Sequence, residues 1–150
     1  VSDIIEFNER NPDQIYRAAL VPYVVESGKI LMLFMKPSFQ GYEGSEDWQL
    51  AKGKVEDDDQ SFEDAAIREG REELGFFKGN SFFVEAVGNF MGRTAVYVAK
   101  VKDKSMFGLP SDETSDVKWL SLEDFQYDGR SLHYPVVQAA VRKIKQIENM

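Results

Sequence analysis

The segment Ser61 to Gly75, SFEDAAIREGREELG, constrains the chain most, because it fixes a helix at both ends and places charge where a core should be. Ser61 with Asp64 three residues on forms a capping pattern, and Gly75 stands where a left-handed C-cap belongs. At 100° per residue, Phe62, Ala66, Glu69, Gly70 and Glu73 share about one third of the circumference, with Glu72 on the flank beside Glu69. Small core-facing residues are thus interrupted by carboxylates. An unpaired buried carboxylate is costly, and like charges at i, i+3 and i+4 repel by a few tenths of a kcal/mol even when solvated, so something positive belongs among them. The bland alternative is a solvated helix face with Arg68 and Arg71 as partners.

Composition narrows that positive partner. The 150 residues include no Cys and one His, His133, which excludes disulfides, thiolate chemistry and Cys- or His-rich metal sites. Oxygen donors of this kind match Mg²⁺, with Mn²⁺ also accommodated. A net charge of −8 argues against long nucleic acid as a partner, since phosphate-backbone binding needs a broad basic face. No apolar run reaches the roughly 20 residues of a membrane span, and the opening VSDIIEFNER has no basic-then-apolar leader. The expectation is a cytoplasmic protein without membrane contact, folded as one domain over 1–150.

Apolar patterning places strands around the helix. YRAALVPYVVE, from Tyr16 to Glu26, turns at Ser27 and Gly28 into KILMLFMK, Lys29 to Lys36. Pro37 to Asp47 reads as a loop, Ser81 to Phe90 and Arg93 to Val101 as a second strand pair, and Val117 to Leu120 as a short last strand. A short helix follows Ser121, and another starts at Pro135 with Val136, Val137, Ala140, Val141, Ile144 and Ile147 as its apolar stripe. The fold class is α/β or α+β, a mixed sheet with helices on its faces.

Just ahead of the capped helix, WQLAKGKVEDDDQ sets Gly53 between two lysines, where a bare backbone can approach a metal or a phosphate. Together, LAKGKVEDDDQSFEDAAIREGREELGF resembles the signature of the Nudix hydrolases, G-x5-E-x7-R-E-U-x-E-E-x-G-U with U apolar; Arg68, Glu69, Glu72, Glu73, Gly75 and Phe76 match its core in register. The resemblance implies a Nudix α/β/α sandwich that hydrolyses the diphosphate linkage of a nucleoside diphosphate derivative. It further implies Mg²⁺ or Mn²⁺ held by Glu69, Glu72 and Glu73 with the Gly53 carbonyl, Glu56 contacting metal or water, and Arg68 orienting the glutamates. Two positions depart from the pattern. Gln60 stands where the motif has Glu, with one residue inserted after Gly53, so that either Gln60 or the shifted Asp59 is left to hold Arg68. Gly70 replaces the usual apolar residue, losing about 1 kcal/mol of helix propensity relative to Ala but allowing close packing on the sheet. A calcium-loop reading of the acidic run fails, because counting from Asp57 puts Phe62 where Gly is needed and Arg68 where Glu is needed.

For the reaction, Glu69 or Glu72 is the general-base candidate within the helix, and Asp112, Glu113 and Asp116 are the loop candidates. Lys52, Lys54, Lys36 and Arg93 are candidate phosphate contacts, Lys52 and Lys54 lying nearest the motif. Tyr42, between two glycines of the long loop, is the foremost base-stacking candidate beside Phe39 and Tyr134, whereas Trp48 reads as core and His133 as structural. A dinucleoside polyphosphate is the first substrate expectation. ADP-ribose, a nucleotide sugar, FAD and a nucleoside triphosphate stand as alternatives, as does a nucleotide-binding regulatory module that has lost turnover. The terminal helix and the first residues offer surfaces for a homodimer.

Overall fold

The computed structural model describes residues 15–150. The amino-terminal stretch read for a leader and for dimer contacts therefore lies outside the described residues. At the centre is β1 (Arg17–Glu26), whose alternate residues are buried on both sides. The Ser27–Gly28 turn, both residues at positive φ, returns the chain as β2 (Lys29–Pro37), antiparallel to β1 from Tyr23 to Glu26. Beyond Tyr23 the two strands part, and β3 (Ala51–Lys54) pairs instead with the first half of β1, setting Lys54 opposite Arg17 and Gly53 opposite Ala18.

Helix α1 (Phe62–Leu74) follows. Ser61 Oγ accepts the Asp64 N–H, and Gly75, at φ 76°, returns its N–H to the last turn, as the cap residues require. Then come β4 (Ser81–Phe90), β5 (Thr94–Val101) and β6 (Thr114–Leu120), with α2 (Leu122–Asp128) and α3 (Tyr134–Glu148) closing the chain. The strand order is β4-β5-β1-β2-β6 with β3 added beside β1; β5 runs parallel to β1 and the other neighbours are antiparallel. This is the mixed sheet expected. The last strand begins three residues earlier than Val117, because Thr114 already pairs with Pro37 across a bulge.

Alternation along β1 divides the core. One face collects Ala19, Val21 and Tyr23 with Met32, Phe34, Phe125 and the stripe Val136, Val137, Ala140 and Ile144 of α3. The other packs Ala18 and Leu20 with Ala95, Ala99, Ala65 and Ala66 under α1. These are the two helical layers of an α/β/α sandwich. Among the described residues no helix is long and apolar enough to cross a membrane.

Candidate active site

The small residues under α1 let it lie close to the sheet. A Cβ on Gly70 would stand 2.5 Å from Leu20 Cδ2, and a Cβ on Gly53 would overlap the Glu69 carboxylate. Two glycines on facing elements therefore set how near the carboxylates come to β3.

Arg68 organises what lies there. Its Nη1 stands 2.9 Å from Glu69 Oε2, 3.3 Å from Glu72 Oε1 and 3.3 Å from Glu56 Oε2. On its other edge, Nε and Nη2 donate to the two oxygens of Asp59 at 3.0 and 2.9 Å, and Nη2 also donates to the Lys54 carbonyl at 2.9 Å. This paired geometry is the strong form of the guanidinium–carboxylate contact. The hydrogen bond from Arg68 holds the Asp59 carboxyl below its usual range, and Asp59, chiefly through that bond, raises the already high guanidinium value. The inserted residue thus moves Asp59 into the place of the motif glutamate, while Gln60 points its amide to the Asp58 carbonyl.

Glu73 makes a separate contact, outside the Arg68 hydrogen bonds. Its Oε1 accepts the Lys52 N–H at 3.0 Å, and burial, aided by the charge of Glu69, pushes its carboxyl up to about 8. Burial also raises Glu69, against the opposing pull of Arg68. Among the described residues no three His, Asp or Glu side chains form a ready ligand cage, because Arg68 occupies the point on which Glu56, Glu69 and Glu72 converge. The donor set nonetheless fits a hard divalent cation: three carboxylates reach one point, and bare backbone at Gly53 adjoins the innermost.

Beside Glu73 opens a cleft of about 490 Å³, lined by Phe39, Tyr42, Gln49, Lys52, Asp112 and Glu113 among others. Buried Gln49 donates to the Gly44 carbonyl at 3.0 Å and to Tyr42 Oη at 3.3 Å, which fixes the loop carrying the aromatic pair. Phe39 and Tyr42 lie with ring centroids 6.1 Å apart, 28° from parallel, and both are exposed. Ser38 closes the opposite rim, bonding through Oγ to the Asp112 carbonyl at 2.6 Å and through N–H to that of Glu113 at 2.8 Å.

The remaining sequence candidates scatter. Lys36 points its ammonium at the Trp48 ring, 4.8 Å from the centroid, rather than at the cleft. Asp116 is exposed on β6 opposite Lys36 and accepts its neighbour's N–H. Lys54 and Arg93 gather near Tyr16 instead, a grouping sequence reading missed along with Arg17. Trp48 and His133 are buried, and His133 Nδ1 accepts the Leu50 N–H at 3.2 Å.

The model of the NUDIX domain matches residues 15–140, and the chain belongs to the Nudix hydrolase family, enzymes that cleave phosphoanhydride bonds in nucleotide-derived compounds. Curated protein sequences give no match. Among solved structures, the NUDIX domain of Shewanella oneidensis NrtR, complexed with ADP ribose, superposes with TM-score 0.69 at 20% identity, covering 87% of this chain and 88% of that one. A C. elegans Ap4A hydrolase binary complex gives 0.66 at 23% identity over 88% of this chain and 98% of that one. RenU, a Nudix hydrolase from M. smegmatis, gives 0.64 at 14% identity, covering 87% and 88%. At these identities the likeness is one of fold.

Proposed function

We propose that this chain acts as one domain that cleaves the phosphoanhydride of a nucleoside diphosphate derivative, with dinucleoside polyphosphates the preferred class. The observation that supports this is the cleft itself, which runs from an aromatic pair at its mouth to Lys52 and Glu73 beside the carboxylates of α1. Phe39 and Tyr42 offer faces to a base. The Lys52 ammonium attracts the phosphates, and its half-buried position weakens its hold on the proton. Arg68 keeps Glu69 and Glu72 in place. Glu72, with 43% of its side chain exposed, is the helix carboxylate that water reaches, and it takes the proton of the attacking water in this reading. Asp112 and Glu113 on the rim are the competing bases.

Glu56, Glu69, Glu72 and Glu73 with the Gly53 carbonyl would hold Mg²⁺ or Mn²⁺. When bound, such an ion acidifies water and draws charge from phosphoryl oxygens. Burial pushes the Glu73 carboxyl up to about 8, so a cation held beside it would favour its ionised form.

A panel of diadenosine polyphosphates, ADP-ribose, a nucleotide sugar, FAD and a nucleoside triphosphate, with Mg²⁺ or Mn²⁺ and products identified by mass, tests the reading. Diadenosine polyphosphates should give the highest kcat/KM, and Glu73→Gln should abolish product release. A higher kcat/KM for another member overturns the substrate assignment; binding without turnover by any member overturns the proposed catalysis in favour of a regulatory module.

A further inference from the structure

Three cations surround Tyr16, at the start of β1. The Arg93 carbonyl accepts both the Tyr16 and the Arg17 N–H at 3.2 Å, and the turn at Met91 and Gly92, both at positive φ, brings Arg93 back over the tyrosine. The guanidinium carbons of Arg17 and Arg93 lie 5.0 and 5.6 Å from the Tyr16 ring centroid. Lys54 stands opposite Arg17 in the strand register. A hydrogen bond from Arg17, with the charges of Arg17, Arg93 and Lys54, holds the Tyr16 hydroxyl below its usual value.

What sets this group apart is the gathering itself: two guanidiniums over one ring, with a lysine on the adjoining strand. The chain carries eight more acids than bases, and Lys100, Lys104 and Lys143 pair with Glu148, Glu26 and Glu85, whereas other cations, among them Lys36 and Lys52, show no ion pair among the described residues. Among the described residues Arg17, Lys54 and Arg93 have no carboxylate at salt-bridge distance. One cation over a tyrosine is a common stabilising contact; two guanidiniums at one ring with a lysine on the adjoining strand, and no acid between them among the described residues, repel each other and favour an anion among them.

The group also adjoins the reaction centre. The Lys54 carbonyl accepts from Arg68, and the Val55 N–H donates to the Tyr16 carbonyl at 2.8 Å. The charges of Arg17 and Tyr16 both reach Lys52, which lines the cleft. Lys52, in the cleft lining, and Lys54, opposite Arg17, thus stand on either side of Gly53 on one short strand.

We propose that Arg17, Lys54 and Arg93, gathered around Tyr16, form a second anion site that takes the far phosphates of a substrate whose near base lies between Phe39 and Tyr42. The inference rests on the polyphosphate reading above and deepens it: occupancy of this site would select a linear polyphosphate over a compound with a single diphosphate. The site contributes binding and not chemistry, so its loss acts on KM.

The test compares wild type with the Arg17→Ala/Arg93→Ala double variant on diadenosine tetraphosphate and on ADP-ribose. The expected result is a KM for the tetraphosphate raised at least about 10-fold, kcat within about 3-fold, and an unchanged KM for ADP-ribose. Unchanged KM on both substrates, or an equal rise on both, overturns the site. Should diadenosine tetraphosphate not be turned over at all, the substrate reading fails, and calorimetric titration with inorganic tripolyphosphate in the absence of divalent metal tests the site alone. There, wild type binds and the folded double variant binds at least about 10-fold more weakly; equal affinity or no wild-type binding sinks the proposal. Arg17→Lys, which keeps the charge, should restore most of the lost affinity, whereas failure of that rescue counts against an electrostatic role.

Discussion

The two faces of the sheet are packed on different terms. Under α3 the core is made of large side chains, with Tyr23, Phe34, Phe125 and Ile144 almost wholly excluded from solvent. Under α1, Leu20, Phe76 and Tyr97 are joined by five alanines and Gly70 where the helix meets the sheet, with buried Glu69 among them. Large residues maximise apolar area, about 25 cal/mol per Å² removed from water, and hold the helix at a distance. Small ones give up that area and let α1 approach until a carboxylate touches the backbone of Gly53. Both faces bury apolar area, and the α1 face in addition sets the position of a carboxylate.

Four measurements would break or sharpen that division. Phe125→Ala should have the largest effect, about 3–5 kcal/mol lost in urea unfolding, with kcat/KM of the folded fraction unchanged; a matching fall in kcat/KM would mean that the faces are not separable. Gly53→Ala should do the reverse, lowering kcat/KM about 100-fold by displacing Glu69 while the unfolding midpoint hardly moves. Asp59→Asn should lower kcat/KM about 10-fold, because Arg68 loses a charged, two-point partner, and Gln60→Ala should stay within about 2-fold. The opposite ranking would return the motif role to Gln60.

The pH dependence of stability without divalent metal is graded instead, at most about 1.4 kcal/mol per pH unit for each proton. Burial lowers His133 from 6.5 to about 3, so between these values the unfolded chain binds more protons and stability falls as pH drops below 6.5. Burial raises Glu73 from 4.5 to about 8, so there the folded chain binds more, and stability falls as pH rises from 4.5 through 8. Unfolding curves in EDTA from pH 4 to 9 should show the alkaline decline removed by Glu73→Gln, with the acid decline kept. An alkaline decline that survives the substitution would assign it elsewhere.

What the sequence disclosed follows the range of the interactions involved. Helix α1 was legible to the residue because its caps, Ser61 and Gly75, are local, and the Ser27–Gly28 hairpin for the same reason. Strand β3 lay inside the motif segment, but its insertion beside β1 depends on where β2 departs, which no local pattern encodes. The glutamates could be named, yet their division into an Arg68-bound group and a separate Glu73 depends on the Lys52 N–H, a contact across 21 positions. The one-residue insertion was visible as a miscount, and geometry then chose Asp59. Lys36 went to Trp48, and Arg17 escaped notice, because a cation's neighbours on adjacent strands are set by register.

The end of α1 carries one further consequence. Its last carbonyls are met by the segment between β5 and β6: the Ser111 N–H donates to the Glu72 carbonyl at 2.7 Å and Thr114 Oγ1 to that of Glu73 at 3.0 Å, while the Gly108 N–H takes the Gly75 carbonyl at 2.8 Å. That segment, pinned at its start by Asn80, also delivers Asp112 and Glu113 to the cleft. Its length cannot change without uncapping the helix, whereas the loop from Ser38 to Asp47 has room to lengthen between its ties. Insertions that alter which molecule is accepted should therefore be tolerated on the aromatic rim and rejected on the acidic one.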